Sequence, residues 1–450
     1  MRTDRYGYVL LGANNIKSYG ATEVGTPAAN FAFMQAAIDS SHRQVTFGKQ
    51  GEVYVISQPL MLKSDCTYVF DCEIKIKDGV ETLLTGNTIV GATVFPVASV
   101  VGFALGEYVG IWDSAAAMGY DQRRATVGKI IDITGLNITI DSISGDAYET
   151  TQAAKLGHVQ NCVIAYRKEN IKILGKGVIN NNRDGQSYVH PTHTIGIVEY
   201  QLAGCGMTIY DCDYVEIDDT LLFKEAVQHN LAITGQGSGG YENTNITIKK
   251  LISQEAHEKN ILCRYITGLV IEDIVVKDAL FEDGIIFYSG VQNVTAKNII
   301  ATGNARGGFF WNSASNSNLV ATGITTSGNG WGIYIQSKNA VISNVACGDA
   351  CLIAAGYAVS NLEINNITFT NVNSIKGYVI RITGGVDGVT FNNAVINGCS
   401  VVGIKCDSLV GGVDPIDVVF NNGGIYNHTG AKTSIEAGTD IAFNNFEGLT

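Results

Sequence analysis

From about residue 206 the chain alternates apolar and polar positions in short runs, and the runs recur. The segments "GMTIYDCDYVEIDDTLLFKEAVQH", "NLAITGQGSGGYENTNITIKKLISQEAHE" and "KNILCRYITGLVIEDIVVKDALFED" each hold an apolar strand, a small loop, a second apolar strand and a polar bend. "GIIFYSGVQNVTAKNIIATGNARG", "GFFWNSASNSNLVATGITTSGNGW" and "GIYIQSKNAVISNVACGDA" follow in the same rhythm. Weaker copies run through "YVIRITGGVDGVTFNNAVINGCSVV" and "VDPIDVVFNNGGIYNHTG". A period of roughly 22–30 residues is that of a solenoid. One such coil has too little apolar surface to fold alone, so neighbours must stack in parallel around a shared Ile, Val, Leu and Phe column. Asn recurs at the bends ("ENTNITI", "NLEINNITF", "VTFNNAVI"), where its amide can bond its own backbone and the equivalent residue one coil away.

The N-terminal third has a different pattern. Phe31, Phe33, Met34, Ala37 and Ile38 keep helical spacing after Thr26-Pro27, a cap followed by proline in the first turn. This predicts a helix that covers one end of the column. Residues 90–157 break the coil rhythm, and "IIDITGLNITIDSI" predicts a hairpin turning near Thr134-Gly135. The expected organisation is a cap with the first coils over 1–89, a β-rich insertion over 90–157 and the main coils over 158–450.

Composition narrows the chemistry. Only 16% of residues are charged, Gly reaches 52 and Pro 5, which suits an extended all-β chain. A net charge of −12 argues against nucleic acid as a partner, since phosphate binding needs a basic stripe. It allows a neutral polymer, or an anionic one met by a local basic patch. The ten cysteines contain no C-x-x-C pair and sit mostly among strand residues, so they read as free buried thiols. No run reaches the ~20 apolar residues of a membrane span. The N-terminus has neither the apolar length nor the cleavage site of a signal peptide, predicting synthesis in a cytoplasm.

"NIKSYGAT" before the predicted helix, then "VYVISQPLMLKSDCTYVF" and "KENIKILGKGVINNNRDGQ", resembles the pectate-lyase-like superfamily of right-handed parallel β-helices. The layout is most similar to phage tailspikes and other polysaccharide depolymerases. That resemblance implies an all-β, right-handed parallel β-helix with an N-terminal capping helix and a small β insertion. It also implies a polysaccharide substrate, a homotrimer of side-by-side columns, and a place on a virion tail or outside the cell. Some family patterns are missing. "TEVGTPAAN" replaces the usual acidic Gly-Asp-Gly run, and the motifs of calcium pectate lyases and the paired-Asp motifs of polygalacturonases are absent. "AHE" before "NILCRY" is a faint echo of the Tyr-Gly-Phe-Asp-Pro-His-Glu strand of polyuronate epimerases and lyases.

Aligning the coils puts His229, Lys259, Asp283, Gly307 and Trp331 in one bend column, and Gln228, Glu258, Glu282 and Arg306 in the column before it. Outward strand positions then carry Arg264, Tyr288, Asn312 and Gln336, with Ile286, Phe310 and Tyr334 beside them. Two chemistries suit this strip. Glycoside hydrolysis needs one carboxylic acid and one carboxylate, which Glu258 with Asp283 or Glu282 would supply from adjacent coils. Lysis or epimerisation of a uronate needs the sugar carboxylate neutralised, a base and an acid, roles open to Arg264 or Lys259, His257 and Tyr288. A non-catalytic spike would use the same groove for binding. His229, Lys259, Arg306, Asn312, Trp331 and Tyr334 are the expected substrate contacts. Asp184 and Tyr188, in "NNNRDGQSYVHPTH", join them on a loop leaving the column.

No cofactor is expected. "HEKNI" is not a zinc motif, because Ile261 stands where the second histidine belongs. The acidic run Asp211, Asp213, Glu216, Asp218 and Asp219 raises calcium, but its alternation reads better as a solvated face. Trp112 and Trp331 are candidate sugar-stacking rings, whereas Trp311 alternates inward to the core.

Overall fold

A computed structural model describes residues 14–41, 43–114, 123–144, 146–186, 191–195, 203–236, 242–313, 315–353, 359–372, 376–383, 386–407, 415–435 and 440–449. The fold is all-β, a right-handed parallel β-helix, with one α-helix among the described residues. The chain divides into two compact units, residues 1–232 and 233–450. Among the described residues no helix is long and apolar enough to cross a membrane.

In the first unit the α-helix runs Pro27–Ser40, with the Thr26 hydroxyl accepting from the Ala29 N–H at 3.3 Å. Met34, Ala37 and Ile38 face the core as the spacing predicts. Phe33 does not; it stays 37% exposed and lies over Gly20, where an added Cβ would sit 3.1 Å from its ring. Buried Asn30 takes a place among the core residues because its amide is used: it accepts from Thr22 N–H and donates to Val55 O. The coils here stack three strands deep. Gln44–Phe47, Cys66–Phe70, Glu169–Leu174 and Asp213–Ile217 form one parallel ladder. Val53–Ile56, Glu73–Ile76, Val178–Asn180 and Leu222–Lys224 form a second. Leu60–Met61, Val163–Tyr166 and Met207–Tyr210 form the third.

The insertion leaves this column as an antiparallel sheet. Tyr108–Trp112 pairs with both Arg123–Thr134 and Lys155–His158, and Arg123–Thr134 turns back through Gly135 (φ +60°) onto Asn137–Ile140. It has its own apolar core around Phe95, Val109, Ile111, Ile130, Ile138 and Leu156. Buried Glu107 ties it to the coils. It contacts the Lys77 ammonium and accepts from His158 Nε2 at 2.8 Å, while His158 Nδ1 accepts from the Val80 N–H. Trp112 corrects the sequence expectation. It is 3% exposed and packs with Val127 and Val159 against Gly157, so it is a core ring and not a stacking surface.

The second unit carries two parallel ladders. The long one runs from Asn243–Lys249 through Ile266–Lys277, Val291–Thr302, Ser317–Ser327, Ala340–Cys347, Val359–Thr370 and Val386–Asn397 to Ile416–Tyr426 and Ile441–Glu447. The short one stacks Lys259–Cys263, Asp283–Tyr288, Gly307–Asn312, Trp331–Ile335, Cys351–Ile353, Tyr378–Thr383, Val402–Asp407 and Thr433–Ile435. Inward positions of the short ladder line up as apolar columns. Trp311 stands in one of them, fully buried and edge-on to Phe287 at 5.6 Å, as its alternation predicts. All ten cysteines are free and buried, and burial pushes the Cys162 and Cys347 thiols up to about 12.

Asparagine sets the bends. Asn298, Asn318, Asn344, Asn361, Asn366 and Asn393 all adopt positive φ, a region where Asn is enriched. Their amides bond from coil to coil, for example Asn366 to Asn344 at 3.2 Å and Asn393 to Asn366 at 2.9 Å. A second ladder runs inside: Asn260 donates to Asn304 (3.0 Å), Asn304 to Asn329 (2.8 Å) and Asn329 to Asp349 (2.8 Å). Gly284, Gly308 and Gly332 make room for it; a Cβ on Gly284 would sit 2.8 Å from the Asn304 amide.

Candidate functional site

The short ladder of the second unit brings most of the sequence candidates together. Ile261 pairs with Ile285, Asp283 with Gly307 and Gly307 with Trp331, so Lys259, Asp283, Gly307 and Trp331 occupy equivalent rungs. Glu258, Glu282 and Arg306 stand one residue before them. The glycine at 307 is required because the Phe310 ring lies over it, 2.0 Å from where a Cβ would be.

These residues form one ion cluster. Arg306 Nε donates to Asp283 Oδ1 at 2.9 Å, its Nη2 contacts Oδ2, and its Nη1 is 3.7 Å from Glu282. The Lys259 ammonium contacts Glu282 and lies 3.4 Å from Glu258. The acids are the floor and the cations the roof. Asp283 has no exposed surface, and Glu258 and Glu282 keep 3% and 5%. The Lys259 and Arg306 side chains keep 15% and 28%. Burial pushes the Asp283 carboxyl up to about 6 against the pull of Arg306 and Lys259. Burial opposes the Lys259 charge as well, but Glu258, Glu282 and Asp283 outweigh it and hold the ammonium above the ordinary lysine range.

Next to the cluster lies a patch of rings. Phe310 and Tyr334 are 4.6 Å apart, Trp331 and Tyr334 5.5 Å, and the Arg306 guanidinium stands 5.2 Å from the Phe310 ring. Two residues absent from the sequence candidates complete it: Trp331 Nε1 donates to Tyr378 Oη at 3.2 Å, and the Lys376 ammonium lies 4.2 Å over Trp331. The sequence repeat does not reveal them, because the coil that begins at Cys351–Ile353 is longer than its neighbours and Tyr378 falls out of step with Trp331. Asp349, on the rung between them, turns inward to Asn329 and leaves the space that Trp331 and Tyr378 bridge. Further along, Arg381 chelates Asp407 at 3.0 and 2.6 Å.

Arg264, Tyr288 and Asn312 gather at the other end of the strands. Tyr288 pairs with Asn312, and the Arg264 guanidinium lies 5.4 Å from the Tyr265 ring and 5.7 Å from that of Tyr288. His257 is not with them. It packs on Phe281 at 4.3 Å, and the five-residue strand Lys259–Cys263, about 13 Å from end to end, separates it from Arg264. His229 is buried in the first unit, where Asp184 is also found, exposed and held by Arg183 at 3.0 Å. Tyr188 lies outside the described residues. In the acidic run of the first unit, Asp211 faces Arg167 at 3.6 Å and Glu216 pairs with Lys172 at 3.1 Å. Among the described residues no three His, Cys, Asp or Glu side chains converge as a metal requires.

No protein-family model and no curated protein matches this sequence. Solved structures do. The pre-mature gene product 12 of bacteriophage phi29 aligns with a TM-score of 0.56 at 13% identity, over 95% of this chain and 57% of its own. The A-module of the Azotobacter vinelandii mannuronan C-5 epimerase AlgE6 aligns at 0.54 and 13% identity, over 96% and 98%. A family 28 exopolygalacturonase of Yersinia enterocolitica aligns at 0.54 and 13% identity, over 96% and 77%. The likeness is one of fold, the parallel β-helix that the pectate-lyase-like resemblance implied.

Proposed function

We propose that this protein acts on a polysaccharide held along the short ladder of the second unit, and that it cleaves glycosidic bonds by hydrolysis. The observation that carries the reading is the pairing of Glu258 and Glu282 on adjacent coils beside the Phe310, Trp331, Tyr334 and Tyr378 rings. Adjacent coils stand about 4.8 Å apart, a spacing from which two carboxyl groups can flank one glycosidic bond. Glu282 faces both Lys259 and Arg306, which suits it to the carboxylate role, and Glu258 is then the proton donor. Asp283, fully buried beneath Arg306, is a positioning residue that fixes the guanidinium over the site. Trp331 and Tyr334, the two partly exposed rings, supply flat apolar surface for sugar faces and rest on buried Phe310 and Tyr378, with Lys376 at their edge. The names of the epimerase and the exopolygalacturonase that share the fold agree with a glycan substrate.

A non-catalytic glycan-binding spike is the second reading, favoured by the near-complete burial of all three acids. Lysis or epimerisation is supported less, because His257 stands a strand length from Arg264 and Tyr288. In either of the first two readings we take the working form to be a homotrimer on a virion tail or outside the cell. The outward face of the long ladder supports this: Val270, Thr295, Val320 and Val341 follow in one row, with Val320 55% and Val341 37% exposed. The test is the chain length of bacterial surface polysaccharides after incubation, read by size-exclusion chromatography. Shortening by the wild type and its loss in Glu258→Gln and Glu282→Gln is the expected result. Undiminished shortening by both variants would remove the carboxylate assignment.

A further inference from the structure

The arginines of the short ladder are not alike. Arg306 and Arg381 are each chelated by a carboxylate. Arg264 has no ion pair with any described residue, and its buried Nε meets no hydrogen-bond acceptor. Its guanidinium is held in place by two tyrosine rings instead. On the far side of Tyr288, paired with it in register, Asn312 has a buried Oδ1 that accepts no hydrogen bond. An unmatched cationic donor and an unmatched acceptor thus flank one tyrosine that is itself 37% exposed. Buried polar atoms without partners destabilise a fold, and a ligand that satisfies both recovers that loss on binding.

The three groups define what such a ligand carries. A guanidinium fork prefers a planar anion, which it can grip through two parallel hydrogen bonds. The Asn312 carbonyl oxygen wants a donor such as a hydroxyl. The Tyr288 ring offers a face to an apolar ring surface. A uronic acid residue presents a carboxylate, neighbouring hydroxyls and a C–H face. A local cation is also what a chain of net charge −12 needs before it can hold an anionic polymer.

We propose that Arg264, Tyr288 and Asn312 form a subsite for a carboxylated sugar, with the carboxylate on Arg264 and a hydroxyl on Asn312. The polysaccharide is then an acidic one. This rests on the reading that the ladder holds a glycan, and it adds the class of sugar. The subsite lies apart from the acid pair, since the six-residue strand Asp283–Tyr288 spans about 17 Å between its ends.

The test uses the full chain and two small probes, methyl β-glucuronide and methyl β-glucoside, followed by saturation-transfer NMR. The expected result is binding of the glucuronide, weakened about tenfold or more in Arg264→Gln and less in Arg264→Lys, since a charged hydrogen bond is lost. Should Arg264→Gln fail to fold, Asn312→Asp serves. Its new carboxylate puts a negative charge where the sugar is to sit, repels the glucuronide carboxylate and should abolish glucuronide binding. Equal binding of the two probes, no binding of the glucuronide, or glucuronide binding unchanged in these variants overturns the subsite. The outcomes separate from those of the cleavage reading. Cutting of a neutral polymer without glucuronide binding removes the subsite and leaves hydrolysis. Glucuronide binding lost in the variants, without any polymer cut, supports the subsite and removes hydrolysis.

Discussion

Asp283 gives up all contact with water in exchange for one guanidinium, and the exchange leaves a trace in pH. Burial holds its carboxyl at about 6 in the folded chain, against an ordinary value of 3.8. Between these values the folded state keeps a proton that the unfolded chain has released. Stability therefore falls as pH rises through this window, and the loss is complete above about 6. The shift corresponds to about 3 kcal/mol. Asp283→Asn should flatten that slope, so urea unfolding at several pH values from 4 to 7 should show the wild type losing stability that the variant does not. A wild type with no such loss would mean that Arg306 compensates the burial fully. Its acidity and its place in the bend column mark this residue in the sequence. Its burial was not visible there, because the side chain that covers it, Arg306, comes from the next coil.

At the level of the strand and its bend, the internal amide ladder explains why the coils keep register. A one-residue slip would move every apolar side chain of a strand to the other face. Asn260, Asn304, Asn329 and Asp349 oppose that slip because each amide has its partner one coil along. Asn304 also accepts from the Ala279 N–H at 3.1 Å, so Asn304→Ala orphans buried donors on two coils. The expected cost is about 2–4 kcal/mol, measured as the shift of the chemical unfolding midpoint. A shift under about 0.5 kcal/mol would show the ladder to be incidental. Apolar alternation and bend asparagines were both legible in the sequence, and so were the Thr26 cap and the Gly135 hairpin. The inner ladder was not. Asn260, Asn304 and Asn329 look like any bend asparagine until the neighbouring Gly284, Gly308 and Gly332 are seen to clear space for them. The same limit hid Tyr378: its coil departs from the common period, and a ring is assigned to a rung only by counting every coil.

For the whole molecule, the low charge count takes on a meaning that composition alone lacks. The exposed row through Val320 and Val341 has no lysine or glutamate until Glu363. Such a face suits burial against a second copy, and Val320→Lys should split the trimer proposed above. Sedimentation analysis should give three chains for the wild type and one for the variant; a monomeric wild type would leave the row unexplained. The fold was legible because a solenoid repeats its evidence on every coil. The chemistry was less so, because a site is written only once and its acids here are shared among coils.

The central claim is that Glu258 and Glu282 cut a glycosidic bond with water. The most direct measurement follows new reducing ends and unsaturated-uronate absorbance together while the protein digests an acidic bacterial polysaccharide. Reducing ends rising alone, and ceasing to rise in Glu282→Gln, is the predicted result. A parallel rise in absorbance would mean elimination, and retained binding with neither signal would mean a spike that holds its glycan without cutting it.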